Sequence, residues 1–192
     1  MNFIYKIKLI LDINSTYGYT STVTINKEKS LLIKLRPTTK SDCQFIIKCN
    51  EGKDADFLHQ WAGPSYSFPI TINQIEQRMM KDTIYTKFFT AILDDNIIGM
   101  VELGFINYKK SECKICRFLI GEKFRNKGYG AEITKLLIEY SSHELNMVKV
   151  LLHTSSSNLS AKKCYEKVGF SVIEEKNTNK NGITALKMEY II

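Results

Sequence analysis

The sequence has no run of about eighteen apolar residues, which is the length that a membrane-spanning helix requires. The apolar stretch at residues 3–13 is interrupted by Lys6, Lys8 and Asp12 and has no small-residue cleavage site, so we expect no signal peptide. The five cysteines show no regular spacing, and their odd number does not suit a disulfide framework. These absences favour a cytoplasmic protein whose thiols stay reduced and which has no membrane partner.

A metal centre is not expected either. Cys113 and Cys116 have the Cys-x-x-Cys spacing of many metal and redox sites, but no second cysteine pair and no nearby histidine completes a set of four ligands. Residues three apart on a strand also point to opposite faces, which would separate the two thiols. The pair therefore predicts no bound metal.

Apolar residues make up 44% of the 192 residues and charged residues 24%, which is the composition of a globular protein with one domain. The net charge of +7 is concentrated near the N-terminus, because residues 1–40 carry seven Lys or Arg against two acidic residues. Such a region attracts nucleic acid, a ribosome, an acidic substrate or a polyanionic cofactor, but it also occurs as a plain solvated surface. No aromatic-interleaved recognition motif accompanies the charge, so we expect no nucleic-acid partner.

Hydrophobic spacing predicts strands and helices over most of the chain. The expected strands are 31–36, 85–93, 97–108, 115–120, 148–153, 171–175 and 184–190, and the expected helices are 41–49, a short one ending at Trp61, 72–81, 131–140 and 158–168. Residues 3–13 and 19–25 predict an added hairpin, with a disordered leader as the alternative. Thr71 and Gln74 predict a capping box at the start of the helix 72–81.

The segment Arg125-Asn126-Lys127-Gly128-Tyr129-Gly130 joins the predicted strand 115–120 to the predicted helix 131–140. Glycine allows a ligand to approach the main chain, and the first N–H groups of a helix have no partner within the helix. Together with the helix dipole, these groups can hold a phosphate. The segment matches neither the Gly-x-Gly-x-x-Gly pattern nor the P-loop, so it predicts a different phosphate-bearing cofactor. The alternative is an ordinary tight turn.

A second pattern begins at Asn158, after the predicted strand 148–153, and ends at Gly169-Phe170. One face of the predicted helix carries Ala161, Cys164, Tyr165 and Val168. Gly169 suits a left-handed residue at the end of the helix. Taken alone, this pattern also describes a packed amphipathic helix with a tyrosine in the core.

Together the two patterns resemble the GNAT superfamily of N-acetyltransferases. Arg125-x-x-Gly128-x-Gly130 matches the acetyl-CoA loop of that family, and Asn158-x-x-Ala161-x-x-x-Tyr165-x-x-x-Gly169-Phe170 matches its second cofactor motif. The resemblance covers about residues 31–191. It implies an α/β domain at residues 31–192, with a mixed, largely antiparallel central sheet that is flanked by helices and splayed at the acetyl-CoA site. Residues 1–30 would then be an N-terminal extension.

The resemblance also implies roles for individual residues. The cofactor acetyl-CoA would bind to the strand residues Phe118, Leu119 and Ile120, to the loop residues Arg125, Asn126, Lys127, Gly128, Tyr129, Gly130 and Ala131, and to Asn158 and Lys163 of the second motif. Tyr165 would be the catalytic acid that donates a proton to the departing sulfur. A phenol with a pKa near 10 is close to a thiol, so this transfer would be nearly balanced. Asn158 would also cap its helix.

Glu102 is our candidate for the general base that accepts the proton of the amine. Strand alternation gives Glu102 a largely apolar face that it shares with Ile98, Met100 and Ile106. Burial on that face would raise the pKa of the carboxyl group, as a general base requires. The alternative is an exposed or salt-bridged glutamate. Glu112 and His153 are weaker candidates, and many members of the family use water alone.

The resemblance therefore implies an enzyme that transfers an acetyl group from acetyl-CoA to a primary amine of a small molecule or of a protein N-terminus. Residues 57–64 and 118–121 further resemble the branch that contains the ribosomal-protein N-terminal acetyltransferases. We expect residues 54–81 to select the amine. The alternative is a catalytically silent module that binds acyl-CoA or associates with a ribosome. A homodimer could form through the last strands or the N-terminal hairpin.

Overall fold

The structure is a computed structural model that describes residues 33–81, 84–177 and 184–192. The predicted N-terminal hairpin, and with it the predicted boundary at residue 30, lies outside the described residues, so both stay predictions. None of the helices in the described part of the chain is long and apolar enough to cross a membrane.

Seven strands and five α-helices follow one another in the described residues. They are β1 (Lys34–Pro37), α1 (Cys43–Asn50), α2 (Ala55–Ala62), α3 (Ile72–Met80), β2 (Lys87–Leu93), β3 (Asn96–Asn107), β4 (Glu112–Ile120), α4 (Tyr129–His143), β5 (Lys149–Ser155), α5 (Leu159–Val168), β6 (Ser171–Asn177) and β7 (Thr184–Ile191). Each predicted element of this region is present, with ends that shift by a few residues. Strand β4 begins three residues earlier than predicted, and helix α4 ends three residues later.

The start of α3 confirms only half of the predicted capping box. The Thr71 hydroxyl accepts a hydrogen bond from the Gln74 N–H at 3.3 Å. The Gln74 side chain does not return to Thr71. Instead it donates to the Pro69 carbonyl at 3.2 Å and accepts from the Ser67 N–H, also at 3.2 Å. Gln74 therefore fastens the loop before α3 rather than the helix end alone.

The seven strands form one sheet in the order β1-β2-β3-β4-β5-β7-β6. Only β4 and β5 run parallel, and every other pair is antiparallel. One face packs against α4 and α5 through a core in which Ile133 and Leu137 of α4 are fully buried. Each such side chain stabilises the fold by about 1.5–3 kcal/mol. The other face meets α1, α2 and α3 over a smaller cluster that includes Met100 and Leu119.

Three extra residues interrupt the regular pairing of β3 with its neighbours. Two of them are in β3: Ile98 is the extra residue in its pairing with β2, and Phe105 is the extra residue in its pairing with β4. The third, Arg117, is an extra residue of β4 in the same pairing of β3 with β4. Phe105 and Arg117 take positive φ values of 52° and 46°. Such bulges change which residues share a face of the sheet.

The bulges overturn the predicted surroundings of Glu102. Ile98 and Ile106 lie in the core under α4 and α5, whereas Met100 packs on the side of α1 and α3. Glu102 contacts Arg78 of α3 and therefore lies on the same side as Met100. The expectation of one apolar face shared by all four residues is wrong, because strict alternation does not hold across a bulge.

The parallel strands β4 and β5 separate part of the way along their length. Their pairing extends only from Glu112 with Lys149 to Ile115 with Leu152. Beyond that point β4 pairs with β3 alone and β5 pairs with β7 alone. The sheet thus opens between residues 116–120 of β4 and residues 153–155 of β5, and this opening, which we name the gap, confirms the predicted splay.

Candidate active site

The strand edge that faces the gap exposes main-chain hydrogen-bonding groups. The Gly121 N–H donates to the Ile98 carbonyl on β3 at 3.0 Å. Because successive N–H groups of a strand point in opposite directions, the N–H groups of Ile120 and Phe118 turn towards the gap. A ligand lying in the gap can pair with β4 in the way that β5 pairs with its first half.

The loop between β4 and α4 closes one end of the gap. Asn126 and Gly128 adopt left-handed conformations, with φ values of 59° and 83°, and Gly128 is the N-cap of α4. Among the described residues, no acceptor takes the N–H groups of residues 126–130. These groups, at the positive end of a helix of fifteen residues, form an anion site made of main chain.

Arg125 and Ala131, the first and last residues of the loop predicted to bind the cofactor, use their N–H groups for hydrogen bonds within the chain. The Arg125 N–H donates to the Glu122 carbonyl at 3.2 Å, and the Ala131 N–H donates to the Gly128 carbonyl at 3.0 Å. Both amides are therefore occupied within the turn. The Arg125 side chain donates from Nε to the Ile120 carbonyl at 2.9 Å, which fastens the loop to the end of β4.

Because Gly130 has no side chain, α4 can pack closely against α5 and β4. A Cβ atom at this position would lie 3.2 Å from Cys164 Sγ of α5 and 3.3 Å from Ile120 Cδ1 of β4. A larger residue would push α4 away from both. The second glycine of the motif is thus required by packing, whereas the first, Gly128, is required by its left-handed φ.

Tyr165 is the buried residue of α5 and lies near Cys116, the first β4 residue of the gap. The side chain is 9% exposed and packs edge-on against Phe170, with 5.9 Å between the ring centroids. Burial, with smaller contributions from the nearby thiols of Cys164 and Cys116, raises the pKa of Tyr165 well above its usual value. The prediction of a pKa near 10 is wrong, because the phenolate would be poorly solvated there.

Two further residues of the second motif lie near the loop. Asn158 Oδ1 accepts from the Ala161 N–H at 3.2 Å and caps α5, as its capping role predicts. Lys163 is exposed on α5, next to Cys164, which contacts Gly130. Lys127 is exposed within the loop itself. Neither lysine has a partner among the described residues.

The carboxylate of Glu102, on β3, is bound by two arginines on the face of the sheet that meets α3. Arg78 donates from Nε and Nη2 to the carboxylate at 2.9 and 2.8 Å, and Arg117 binds both oxygens through its own Nε and Nη2. Burial alone would raise the pKa of Glu102, but the hydrogen bonds and charges of Arg117 and Arg78 outweigh it and lower the pKa below its usual value. The expectation of a raised pKa is wrong.

The alternative of a salt-bridged Glu102 is thus confirmed, but the sequence did not predict which residues would be its partners. Arg117 Nη1 donates in addition to Ser65 Oγ at 2.8 Å, so this ion network joins β3, β4, α3 and the turn after α2. The sequence contains one indication of the network, since Arg117 is a charged residue in the otherwise apolar strand 115–120. Nothing in the spacing of Arg78 or Ser65 indicated that they meet it.

The weaker base candidates lie apart from this network. His153 Nδ1 is hydrogen-bonded with Lys114 Nζ on the open face of the sheet. Burial lowers the pKa of His153, and the charges of Lys114 and Lys187 lower it further. Glu112 lies at the far end of β4, where β4 and β5 are still paired. His153 is the first residue on the β5 edge of the gap, but its ring is hydrogen-bonded with Lys114, and Glu112 lies outside the gap.

A small cavity lies beside the network. Its volume is about 170 Å³, and its walls are Ser65, Tyr66, Ser67, Gln74, Gln77, Arg78 and Lys81. Burial raises the pKa of Tyr66 to about 12, so its hydroxyl stays protonated. All of these wall residues fall within residues 54–81, the segment expected to select the amine.

The cavity and the gap are connected through a short series of contacts. Arg78 lines the cavity and binds Glu102, and Glu102 pairs across the sheet with Cys116. Cys116 is the first residue of β4 beyond the paired part, and it is close enough to Tyr165 to influence its pKa. Tyr165 thus belongs to the core on the side of α4 and α5, whereas the arginine network lies on the side of α3.

Comparisons with known proteins agree with this geometry. The profile described as Acetyltransferase (GNAT) family matches residues 55–170. A spermidine N(1)-acetyltransferase from Vibrio cholerae is 25% identical over 138 residues, which cover 72% of this chain and 78% of that protein. A human N-acetylaspartate synthetase is 29% identical over 96 residues, which cover 50% of this chain and 31% of that protein.

A solved structure gives the same fold. The crystal structure of spermidine N-acetyltransferase from Vibrio cholerae in complex with CoA and spermine superposes with a TM-score of 0.71 at 22% identity. The match covers 83% of this chain and 95% of that one.

Proposed function

The chain belongs to the GNAT acetyltransferase family, and from this premise we propose how its residues perform the reaction. As a member of this family the chain is an acetyl-CoA-dependent N-acetyltransferase, and its acceptor is a primary amine of a small molecule. The proposal concerns which residues hold the cofactor, which one assists the leaving group, and where the amine lies.

The cofactor residues are those at the end of β4 and the start of α4. The unpaired N–H groups of residues 126–130 would hold the pyrophosphate, and Lys127 and Lys163 would add charge near the phosphates. The pantetheine arm would lie in the gap along Phe118, Leu119 and Ile120. No step of binding requires the amides of Arg125 or Ala131, because both are used inside the turn.

In the reaction the amine nitrogen attacks the thioester carbonyl, a C–N bond forms, and the C–S bond breaks with the electron pair staying on sulfur. Tyr165 would donate its O–H to that sulfur. Its raised pKa keeps the phenol protonated at all physiological pH values, so the donor is present in every enzyme molecule. Its main contribution is a hydrogen bond that stabilises the thiolate before solvent protonates it.

Glu102 is better suited to positioning than to proton abstraction. A carboxylate that accepts hydrogen bonds from two guanidinium groups has its lone pairs occupied and its basicity lowered. We therefore assign the removal of the ammonium proton to water, one of the alternatives that the family allows. The arginine network would instead fix the wall against which the amine lies.

The observation that carries the proposal is the meeting of three features at one place. The gap runs along residues 116–120 of β4, the unpaired N–H groups of residues 126–130 follow that strand, and Tyr165 is close enough to Cys116, the first β4 residue of the gap, to be affected by its thiol. In a sheet that opens between parallel strands, the carboxyl end of β4 is where a ligand can reach its main chain.

The test is to measure acetyl-CoA binding by calorimetry and CoA release with a panel of amines. The panel contains spermidine, an aminoglycoside, free amino acids and a short peptide with a free N-terminus. We expect saturable binding and release above spontaneous hydrolysis with at least one of them. Binding without release from any amine would favour the silent acyl-CoA module, and no binding at all would overturn the site.

Location and assembly belong to the same proposal. We place the enzyme in the cytoplasm, because all five cysteines are free thiols and three of them are at least partly accessible. A homodimer through the last strands is supported by β6, which is an exposed strand at the edge of the sheet. Light scattering on the purified chain would measure its oligomeric state.

A further inference from the structure

We propose that the preferred acceptor is an amine that also carries a carboxylate, and that the cavity beside α3 binds this carboxylate. The proposal rests on the proposed function, since it names the class of acceptor for the same site. It separates this chain from its relatives that are named for spermidine, a polyamine without a carboxylate.

The walls of the cavity carry donors and positive charge. Arg78 and Lys81 are its charged residues, and hydroxyl and amide side chains make up the rest. No aspartate or glutamate lies among the described residues that line it. A cavity of this composition suits an anionic group of a few heavy atoms, such as a carboxylate.

The guanidinium of Arg78 is held ready for such a group. Its Nε and Nη2 are both bound to Glu102, which is 2% exposed. Its third nitrogen, Nη1, donates to no residue in the described part of the chain. Because Glu102 fixes the plane of the guanidinium, a ligand that binds Nη1 loses little side-chain entropy.

The network also has an excess of positive charge. Arg78 and Arg117 are paired with the single carboxylate of Glu102, and the side chain of Arg117 is only 12% exposed. An unbalanced cation with little exposure costs free energy, which an arriving anion lowers. The gain in binding free energy is therefore expected to be largest for a ligand that brings one negative charge into the cavity.

A polyamine would find no carboxylate among the described residues that line the cavity. Glu102 is shared by two arginines, and Glu174, which acts on His153, has its Oε2 atom 3.9 Å from Lys187 Nζ. Lys114 adds a further cation near Cys116. A chain with several ammonium groups would meet like charges, which lowers its affinity.

The deciding experiment uses acceptors that differ only in charge. Straight-chain amino acids from glycine to 6-aminohexanoate are compared with their primary amides and with spermidine, by CoA release with acetyl-CoA. We expect at least one acid to exceed its amide by tenfold or more in kcat/KM, and spermidine to fall below that acid. Equal rates for every acid and amide, or spermidine as the best acceptor, would overturn the carboxylate assignment while leaving the acetyltransferase activity intact.

Binding measurements decide the case if none of these amines is acetylated. Calorimetry then compares each acid with its amide in the presence of CoA. An acid that binds at least tenfold more tightly than its amide supports the assignment, and equal affinities overturn it. Failure of acetyl-CoA itself to bind would instead overturn the proposed function, so the two failures are distinguishable.

Two charge-reversal variants test whether the cavity is the cause of the preference for acids over amides. Lys81 is exposed on the cavity wall, so Lys81→Glu should leave the fold intact and lower the acid-to-amide ratio by about threefold to tenfold. Lys109→Glu makes the same change in the exposed turn between β3 and β4 and should leave the ratio unchanged. Arg78→Gln should bring the ratio close to one. If that variant does not fold, Lys81→Glu decides alone, and an unchanged ratio there overturns the cavity as the site.

Discussion

The two sides of the gap are built in different ways. The side proposed to bind the cofactor, residues 118–131 and 158–170, presents main-chain N–H groups that a glycine turn and a helix start bring together within a few residues. The side proposed to bind the acceptor, which comprises Ser65, Arg78, Glu102 and Arg117, presents side chains from four separate segments. A local motif can specify the first, whereas only the folded chain assembles the second.

The largest expected effect tests the cofactor side. Gly128→Val places a branched side chain at a residue with φ of 83°, a conformation that valine strongly disfavours, and puts that side chain in the open space beside the loop. We expect acetyl-CoA binding to fall below detection in calorimetry. Ala131→Val, a change of similar size in a residue whose amide is already occupied, tests whether the loss comes from packing alone. Unchanged affinity in Gly128→Val would mean that the cofactor lies elsewhere.

Tyr165→Phe removes the donor and keeps the ring. We expect turnover to fall by about one hundredfold, with acetyl-CoA affinity and Tm nearly unchanged. Tyr140→Phe is the matched control, because Tyr140 packs edge-on against Phe89 in the same core and has no part in the proposed reaction. If Tyr165→Phe loses activity only in proportion to its unfolded fraction, Tyr165 is a core residue and nothing more.

On the acceptor side Glu102→Gln should affect stability. The change leaves two arginines facing each other without a carboxylate, and breaking such a buried pair costs about 3–5 kcal/mol of the free energy of unfolding. Urea unfolding at pH 7 measures this. Glu112→Gln, at a glutamate outside the network, should cost far less.

The lowered pKa of Glu102 predicts that the free energy of unfolding depends on pH. The pKa of Glu102 is lower in the folded protein than in the unfolded chain, so its contribution is complete above the unfolded value of about 4.3 and is lost as the pH falls below it. The urea midpoint of the unsubstituted protein should therefore drop between pH 5 and pH 3. In Glu102→Gln that drop should be smaller, and an identical drop would contradict the lowered pKa.

The smallest effect concerns the exposed lysines of the cofactor side. Lys127→Gln and Lys163→Gln should each weaken acetyl-CoA binding by a few-fold at low salt and less at 0.5 M salt, because exposed charges are screened. Lys135→Gln, on an exposed position of α4 that pairs with Glu132, is the control. A salt-independent loss would indicate a direct packing role instead of a charge effect.

The sequence was sufficient for the helices and strands, because each depends on residues that are close in the chain, whereas the splay was implied by the resemblance to the family. Gly128 and Gly130 lie at a strand-to-helix junction that hydrophobic spacing locates, and the Asn158 cap is formed within three residues. Glu102 was interpreted wrongly because its surroundings depend on bulges at Ile98 and Phe105. Gly99 and Gly104 stand directly beside these two bulges, and an isolated glycine inside a strand is a signal for a bulge that the assumption of strict alternation overlooked.

The extra residue at Arg117 divides β4 into two halves that are out of phase. Before it, the odd-numbered Cys113 and Ile115 face α4; after it, the even-numbered Phe118 and Ile120 do. Deleting Arg117 would bring the strand back into a single frame in which Phe118 and Ile120 still face α4 and Leu119 still faces the cluster of α1 and α3, but it would remove the guanidinium that binds Glu102. The number of residues in β4, and not only their identity, therefore decides whether a charged side chain can lie beside Glu102 while the apolar residues around it keep their faces.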